Sequence, residues 1–480
     1  MPHHITNTLW KRSCGVSRWF SCGNIPSLEA SESLGFSNAP VNKLPVELLG
    51  EIFSWTLDDW GLMSDEQSNL ILEPLTISHV CGHWRSISIS IPQLWATLWI
   101  DRPRAAHVSM VELWIERSCN SPLSINLRQT DPKSCLSLTT SAEHELTDNI
   151  FALLVPHIHR WHTVDLVFRT DVQKSLLSLP ADAAVALEHV ALHTASWDKT
   201  SAESLQSALY LRPSLRSVHF MPASNQQHVP WKQLTQIEAE PECTLETCLG
   251  ILAACPALSS ARFTCSADPD WAHTPFNHTE QYLTLPDLVD VSIKASRVDL
   301  TPFLNRLTLP ALRSLTLQYC HVPRAMPDHQ SLHSLLERSS CALEAFALHE
   351  TARMRDDDRQ ISYLQSPRMA SLTDLELHVD MTERIVNFLT YSANDEDHWL
   401  PNLTEITLRD YRGEHISDDV LTRMLLSRLA SVDSAPSSPA FLRSADLHLR
   451  LTSHARPVLP AERCTDSLEL RLELLNCFCQ

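Results

Sequence analysis

The chain has 480 residues, with 38 Lys and Arg against 57 Asp and Glu and a hydrophobic fraction of 44%, so it can bury a sizeable core. That length corresponds to about three domain-sized units. A formal net charge of −19 leaves no broad cationic surface for phosphates and disfavours an anionic membrane face, which excludes nucleic acid as an expected partner. Only 8 Gly stand beside 29 Pro, which disfavours glycine-cradled nucleotide sites and predicts elements stopped sharply by proline. The 14 cysteines are spread out, with no secretory leader and no short paired spacing, and this predicts reduced thiols in a cytoplasmic or nuclear protein. No apolar run approaches the roughly 18 residues that span a bilayer, so integral membrane association is not expected.

Residues 1–40 mix Ser, Gly, Asn and isolated aromatics without a period and end at Pro40, which predicts a disordered tail. Lys11, Arg12 and Arg18 precede the first acid, Glu29, but no amphipathic stripe accompanies them. From Leu44 the sequence LPVELLGEIFSWTL repeats Leu44, Leu48, Ile52 and Trp55 at helical spacing, with Leu49 and Phe53 widening the stripe. Pro45 sits at the helix start, where its missing N–H costs nothing. Asp58, Asp59, Asp65, Glu66 and Glu73 then form an acidic connector without a base. A second helical pattern places Leu75, Val80, Trp84 and Ile87 on one face, breaks at Pro92 and continues through Leu94, Trp95 and Leu98. Two or three short helices in so short a stretch make a very small core, and units of that size need a staple or a partner.

The motifs LPVELLGEIF, ISHVCGHW with RSI, and IPQLW occur in order over residues 41–100 and resemble an F-box of the type found in large, basidiomycete-type families of fungal proteins. In that family LPxE-L opens the first helix and V-C-x-x-W-R marks a later one; here Gly82 and His83 stand where basic residues are expected. The resemblance implies a small all-helical module contacting the Skp-type adaptor of a cullin-based ubiquitin ligase. Carried over by resemblance, the contact residues are Leu44, Pro45, Leu48, Leu49, Ile52, Val80, Trp84 and Leu94. Some of these must also serve the core.

Residues 101–160 are expected to form a connector and capping segment, and from about Trp161 to residue 480 a phrase Leu-x-x-apolar-x-apolar recurs. It reads PSLRSVHF at 213–220, PALSSARF at 256–263, PDLVDVSI at 286–293, PALRSLTL at 310–317 and PNLTEITL at 401–408. LEAFALHE at 343–350 and LTDLELHV at 372–379 follow without an adjacent proline. Leu215, Leu234, Leu258, Leu288, Leu312, Leu343, Leu372 and Leu403 open successive phrases at intervals of 19 to 31 residues. This range resembles irregular leucine-rich repeats. Each phrase supplies a strand whose alternate apolar residues enter a shared core. The stretches 247–256, 331–340 and 420–430 have helical spacing, and Cys320 is expected as a small buried residue after its strand. The expected fold class is therefore α/β: an F-box followed by a leucine-rich-repeat-like solenoid arc with a curved parallel sheet.

Strand positions that do not enter the core would line a concave target-binding face: Asp290, Ser292 and Lys294; Ser314, Thr316 and Gln318; Asp374, Glu376 and His378; Glu405, Thr407 and Arg409. H-E-x-x-H, G-x-S-x-G and G-x-x-x-x-G-K-[ST] are all absent, so neither catalysis nor a cofactor is expected. Cys243, Cys248, Cys255 and Cys265, with His273 and His278 downstream, lack a C-x-x-C pair and read as small buried hydrophobes rather than a metal site. The final Cys477-Phe478-Cys479-Gln480 formally satisfies C-a-a-X, the farnesylation pattern at Cys477, without a preceding basic cluster. The expected function is substrate recognition for an SCF-type ligase, with an unknown protein target on the arc. The rival is an interaction scaffold with a degenerate F-box that assembles no ligase.

Overall fold

A computed structural model describes residues 40–55, 73–130, 140–169, 173–177, 179, 184–194, 197–220, 229–266, 282–321, 329–350, 356–391, 399–428, 441–452 and 469–474. Residues 1–39 of the expected tail, residues 58–72 of the acidic connector, His273, His278 and Cys477 lie outside them.

Helix α1 spans Val46–Trp55, so Leu44 and Pro45, expected at its first turn, precede it, and the Pro45 carbonyl accepts from Leu49 N–H at 3.1 Å. A Cβ at Gly50 would lie 2.9 Å from Ile91 Cδ1, so a larger residue there needs the tip of the Ile91 side chain to shift. The second helical pattern divides into α2, Glu73–Ser78, and α3, Gly82–Ser90, because Cys81 adopts extended backbone and its Sγ caps α3 by accepting from Trp84 N–H at 3.4 Å. Pro92 opens a short 3-10 turn, Pro92–Trp95, that buries Leu94 and Trp95, and Trp95 Nε1 donates to the Ser88 carbonyl at 2.8 Å. Leu98, expected on a helix, lies on a strand.

The strands are β1 Thr97–Asp101, β2 Leu123–Arg128, β3 Trp161–Val167, β4 His189–His193, β5 Ser217–Phe220, β6 Gln236–Cys243, β7 Ser260–Ser266 and β8 Leu283–Thr284. They continue with β9 Asp290–Ser296, β10 Leu307–Thr308, β11 Ser314–His321, β12 Ala345–Glu350, β13 Asp374–Val379, β14 Glu405–Asp410, β15 Ser444–Leu449 and β16 Glu469–Leu474. Fourteen of them form one parallel sheet whose spatial order follows chain order, while β8 and β10 pair with each other beside it. The chain is thus α/β, with a large parallel sheet. Parallel neighbours need crossovers, and helices Leu245–Ala254, His329–Ser339 and Asp418–Ser427 occupy the stretches with helical spacing.

Register explains the phrase. Val291, Leu315, Phe346, Leu375, Ile406 and Ala445 form one in-register row across β9 to β15, and Ile293, Leu317, Leu348, Leu377, Leu408 and Leu447 form the next. All of these side chains are buried, as are the phrase-opening leucines from Leu215 to Leu403. Because the side-chain period is two, a slip of one residue would expose every row, so the alternation fixes the register. A backbone device recurs with each phrase: the carbonyls of Glu188, Arg216, Thr235, Ser259, Val289, Arg313, Glu344, Thr373 and Thr404 each accept two successive N–H groups from the following unit.

The sheet starts earlier than the recognised phrases. β1 falls inside the stretch read as the helical module, and β2 lies within residues 101–160, the expected connector. Cys320 also departs from expectation. It is only partly buried, inside β11, and the adjacent Tyr319 turns into the core instead.

Candidate functional site

The N-terminal helices separate core from surface. Leu49 and Phe53 on α1 are buried, the Phe53 ring lies 4.9 Å from that of Trp84 on α3, and Leu94 is fully enclosed. Trp84 is half-buried. The opposite side of α1 leaves Leu48 52%, Ile52 38% and Trp55 61% exposed, with Leu44 and Pro45 exposed ahead of it and Val80 exposed in the α2–α3 turn. Of the residues carried over as adaptor contacts, Leu44, Pro45, Leu48, Ile52 and Val80 therefore present surface, Trp84 presents part of its ring, and Leu49 and Leu94 belong to the core. The exposed residues at 48, 52 and 55 form a stripe along one helix face, and Leu44 is exposed in the turn before it.

The polar side of the sheet repeats the same register. Asp290, Ser314, Ala345, Asp374, Glu405 and Ser444 align in one row. Ser292, Thr316, Ala347, Glu376, Thr407 and Asp446 align in the second, and Lys294, Gln318, His349, His378, Arg409 and His448 in the third. All the residues picked as a target face thus lie on one side of one sheet. Lys294, Glu405 and Arg409 are exposed; Asp290, Gln318, Asp374 and Glu376 are half-buried; His378 is buried.

These side chains meet most closely on β12 and β13. The imidazoles of His349 and His378 stack with centroids 4.1 Å apart and planes 9° from parallel. Their Nε2 atoms approach the same oxygen, Oε1 of Glu376, at 3.2 and 2.7 Å. Neither nitrogen has a well-angled hydrogen bond to it. The contacts from His349 and His378 hold the Glu376 carboxyl well below the usual carboxylate range. Asp374 moves the other way, up to about 6, through burial and then the charges of Glu405 and Glu376. Further along, His448 Nε2 lies 3.1 Å from Asp446 Oδ1, and Arg409 Nη2 lies 3.5 Å from Asp446 Oδ2.

The same polar side carries histidines nearer the start of the sheet. The rings of His193 and His219 meet edge to face at 4.7 Å, and His189 Nδ1 lies 2.7 Å from Ser217 Oγ. Burial lowers the pKa of both His189 and His193. Sequence reading missed His349 and this second group. The signal was present: His349, His378, Arg409 and His448 each stand six residues after a leucine that leads into a strand, Leu343, Leu372, Leu403 and Leu442.

The thiol group is partly assembled. Cys243 Sγ lies 3.1 Å from Cys248 Sγ, which lies 3.4 Å from Cys265 Sγ, and all three are buried. Hydrogen bonds from Cys248 and Cys265 lower the Cys243 pKa to about 5, whereas burial pushes Cys248 up. Cys255 is buried but lies outside this cluster, and burial raises its thiol to about 12. Among the described residues, no helix is long and apolar enough to cross a membrane. No protein-family model matches the chain, and no curated protein matches it.

Proposed function

We propose that the protein is a substrate-recognition subunit of an SCF-type cullin-RING ubiquitin ligase. Residues 41–100 act as an F-box on a Skp-type adaptor, which links to the cullin, and a leucine-rich-repeat-like domain downstream presents a protein target on its polar sheet face. The observation that carries this reading is the apolar stripe of Leu48, Ile52 and Trp55 on α1, with Leu44 exposed in the turn that leads into it. Exposed apolar side chains grouped on one helix face are what a docking helix presents to a partner groove.

The protein catalyses nothing itself in this reading. Two binding modules joined in one chain convert target modification into a local encounter, raising effective concentration without new contacts. The polar face supports distributed recognition, since it offers acids, histidines and a guanidinium in three aligned rows. The reading is tested by the double change Leu44→Ala with Pro45→Ala, which removes apolar contact and the preset helix start. Adaptor affinity falls while the far-ultraviolet circular dichroism of the sheet is unchanged; equal affinity in the variant rejects the site.

A second reading, an interaction scaffold that assembles no ligase, is favoured by Gly82 and His83, which stand where the F-box pattern carries basic residues. A folded protein that captures no adaptor would select it.

A further inference from the structure

His349, Glu376 and His378 are placed together by strand register alone. His349 and His378 are direct partners on β12 and β13, and Glu376 stands two residues before His378, on the same side of the sheet. One donor atom from each of the three side chains lies within 4.8 Å of the others. The carboxylate oxygen to imidazole separations are 3.2 and 2.7 Å. Zinc binds imidazole nitrogen and carboxylate oxygen at about 2.0–2.2 Å, so neighbouring ligand atoms around it stand about 2.8–3.5 Å apart. The two separations fall at or near that range; the rings lie 9° from parallel, so they turn toward each other's edge as both lone pairs come onto one ion.

The present contacts leave the nitrogens poorly served. His378 is only 8% exposed, and its Nε2, aimed at the carboxylate, has no straight hydrogen bond. His349 Nε2 is in the same position. A ring nitrogen that meets a carboxylate off-angle gains less than a straight hydrogen bond gives, and a shared metal ion would be bound by both ring nitrogens and the carboxylate. The surroundings favour a cation. Asp374 and Glu405 are paired in the adjoining row, and the Arg409 guanidinium, the nearest opposing charge in the register, is drawn toward Asp446.

We infer that His349, Glu376 and His378 form a site for a divalent transition metal of the zinc class, on the polar face of the sheet. Two imidazoles and one carboxylate fill three positions and leave the remainder for water or for a side chain of a bound protein. The inference stands on this geometry and does not depend on the ligase reading.

The test uses the full-length protein at pH 7.5, stripped of metal and titrated with Zn²⁺ in the presence of a competing chelator. Wild type and Glu376→Gln, His349→Ala, His378→Ala and His83→Ala variants are compared. One saturable equivalent is expected, weakened at least tenfold by each change at 349, 376 and 378 and unaltered by the change at the exposed His83. Glu376→Gln keeps shape and leaves a weaker ligand, so folding loss is controlled by circular dichroism of that variant. X-ray absorption of the zinc-loaded wild type is expected to report nitrogen and oxygen ligands. Absence of a saturable equivalent, affinity unchanged in the three ligand variants, or sulfur ligation pointing to Cys243, Cys248 and Cys265 would each overturn the assignment.

Discussion

Replacing Leu48 and Ile52 by Ser separates docking from folding on one helix. Both residues face outward from α1, leaving 52% and 38% of their surface in water. A Leu or Ile taken fully out of water contributes about 1.5–3 kcal/mol, so covering the exposed fractions contributes about 1 kcal/mol each. Together they account for about 2 kcal/mol, or roughly a 30-fold loss of adaptor affinity at 1.4 kcal/mol per decade. Stability changes by less than about 1 kcal/mol, because exposed positions on a helix feel little beyond propensity. Leu49→Ala, one residue away and fully buried, behaves in the opposite way: it lowers stability by about 2–5 kcal/mol through lost burial and a cavity. The assay is calorimetric titration against a Skp-type adaptor, paired with urea denaturation of each variant. Unchanged affinity in the Ser pair, or a Ser pair that unfolds as readily as Leu49→Ala, would refute the division of this helix into a core face and a docking face.

Leu317→Ala removes a side chain buried between Ile293 and Leu348 in the ladder and is expected to cost about 2–5 kcal/mol, read as a lower urea midpoint. Arg428 is buried, donates from Nε to the Leu389 carbonyl at 2.7 Å and from Nη1 to the Leu400 carbonyl at 3.0 Å, and is pulled down to about 10 by burial. Arg428→Met leaves both carbonyls without these donors and is expected to cost about 3 kcal/mol in urea denaturation; a loss below about 1 kcal/mol would show that they find other partners. His107 accepts from the Arg104 N–H at 3.1 Å, and burial, followed by the Arg104 charge, lowers its pKa to about 4 from 6.5. Between those values the unfolded chain binds more protons, so the His107 contribution is complete above pH 6.5 and is lost as pH falls toward 4. His107→Gln should therefore flatten the pH dependence of the melting temperature in that window; an unchanged slope would reject the linkage.

The repeat strands were legible because their physics is local. A leucine, then apolar residues three and five positions later, is enough to specify a half-buried strand and its register, and proline marks the entry. The same spacing occurs at Trp161, Val164 and Leu166, at Leu187, Val190 and Leu192, and at Leu442, Ala445 and Leu447, all buried, but Trp, Ala or a missing proline disguises it. At β1 the same spacing opens on Trp95, with Leu98 and Ile100 three and five residues later and all three buried, but Trp in the opening position and Leu94 beside it made the strand look like the end of a helix. Tyr319 in place of Cys320 as the inward residue follows from β11 continuing its alternation one step beyond Leu317. On α1 the apolar periodicity was plain, yet Leu48 and Leu49 are chemically identical and adjacent. Only the position of the remaining helices and Ile91 decides which is buried. The His349–Glu376–His378 grouping depends on contacts between strands, so it became visible only once the phrases were paired in register.

Adaptor recruitment is measured by co-expressing the chain with a Skp-type adaptor and a cullin, followed by affinity capture and size-exclusion chromatography. The proposed ligase-subunit function requires a stoichiometric complex that disappears with Leu44→Ala and Pro45→Ala together. A folded chain that elutes alone, with no adaptor retained, would contradict it.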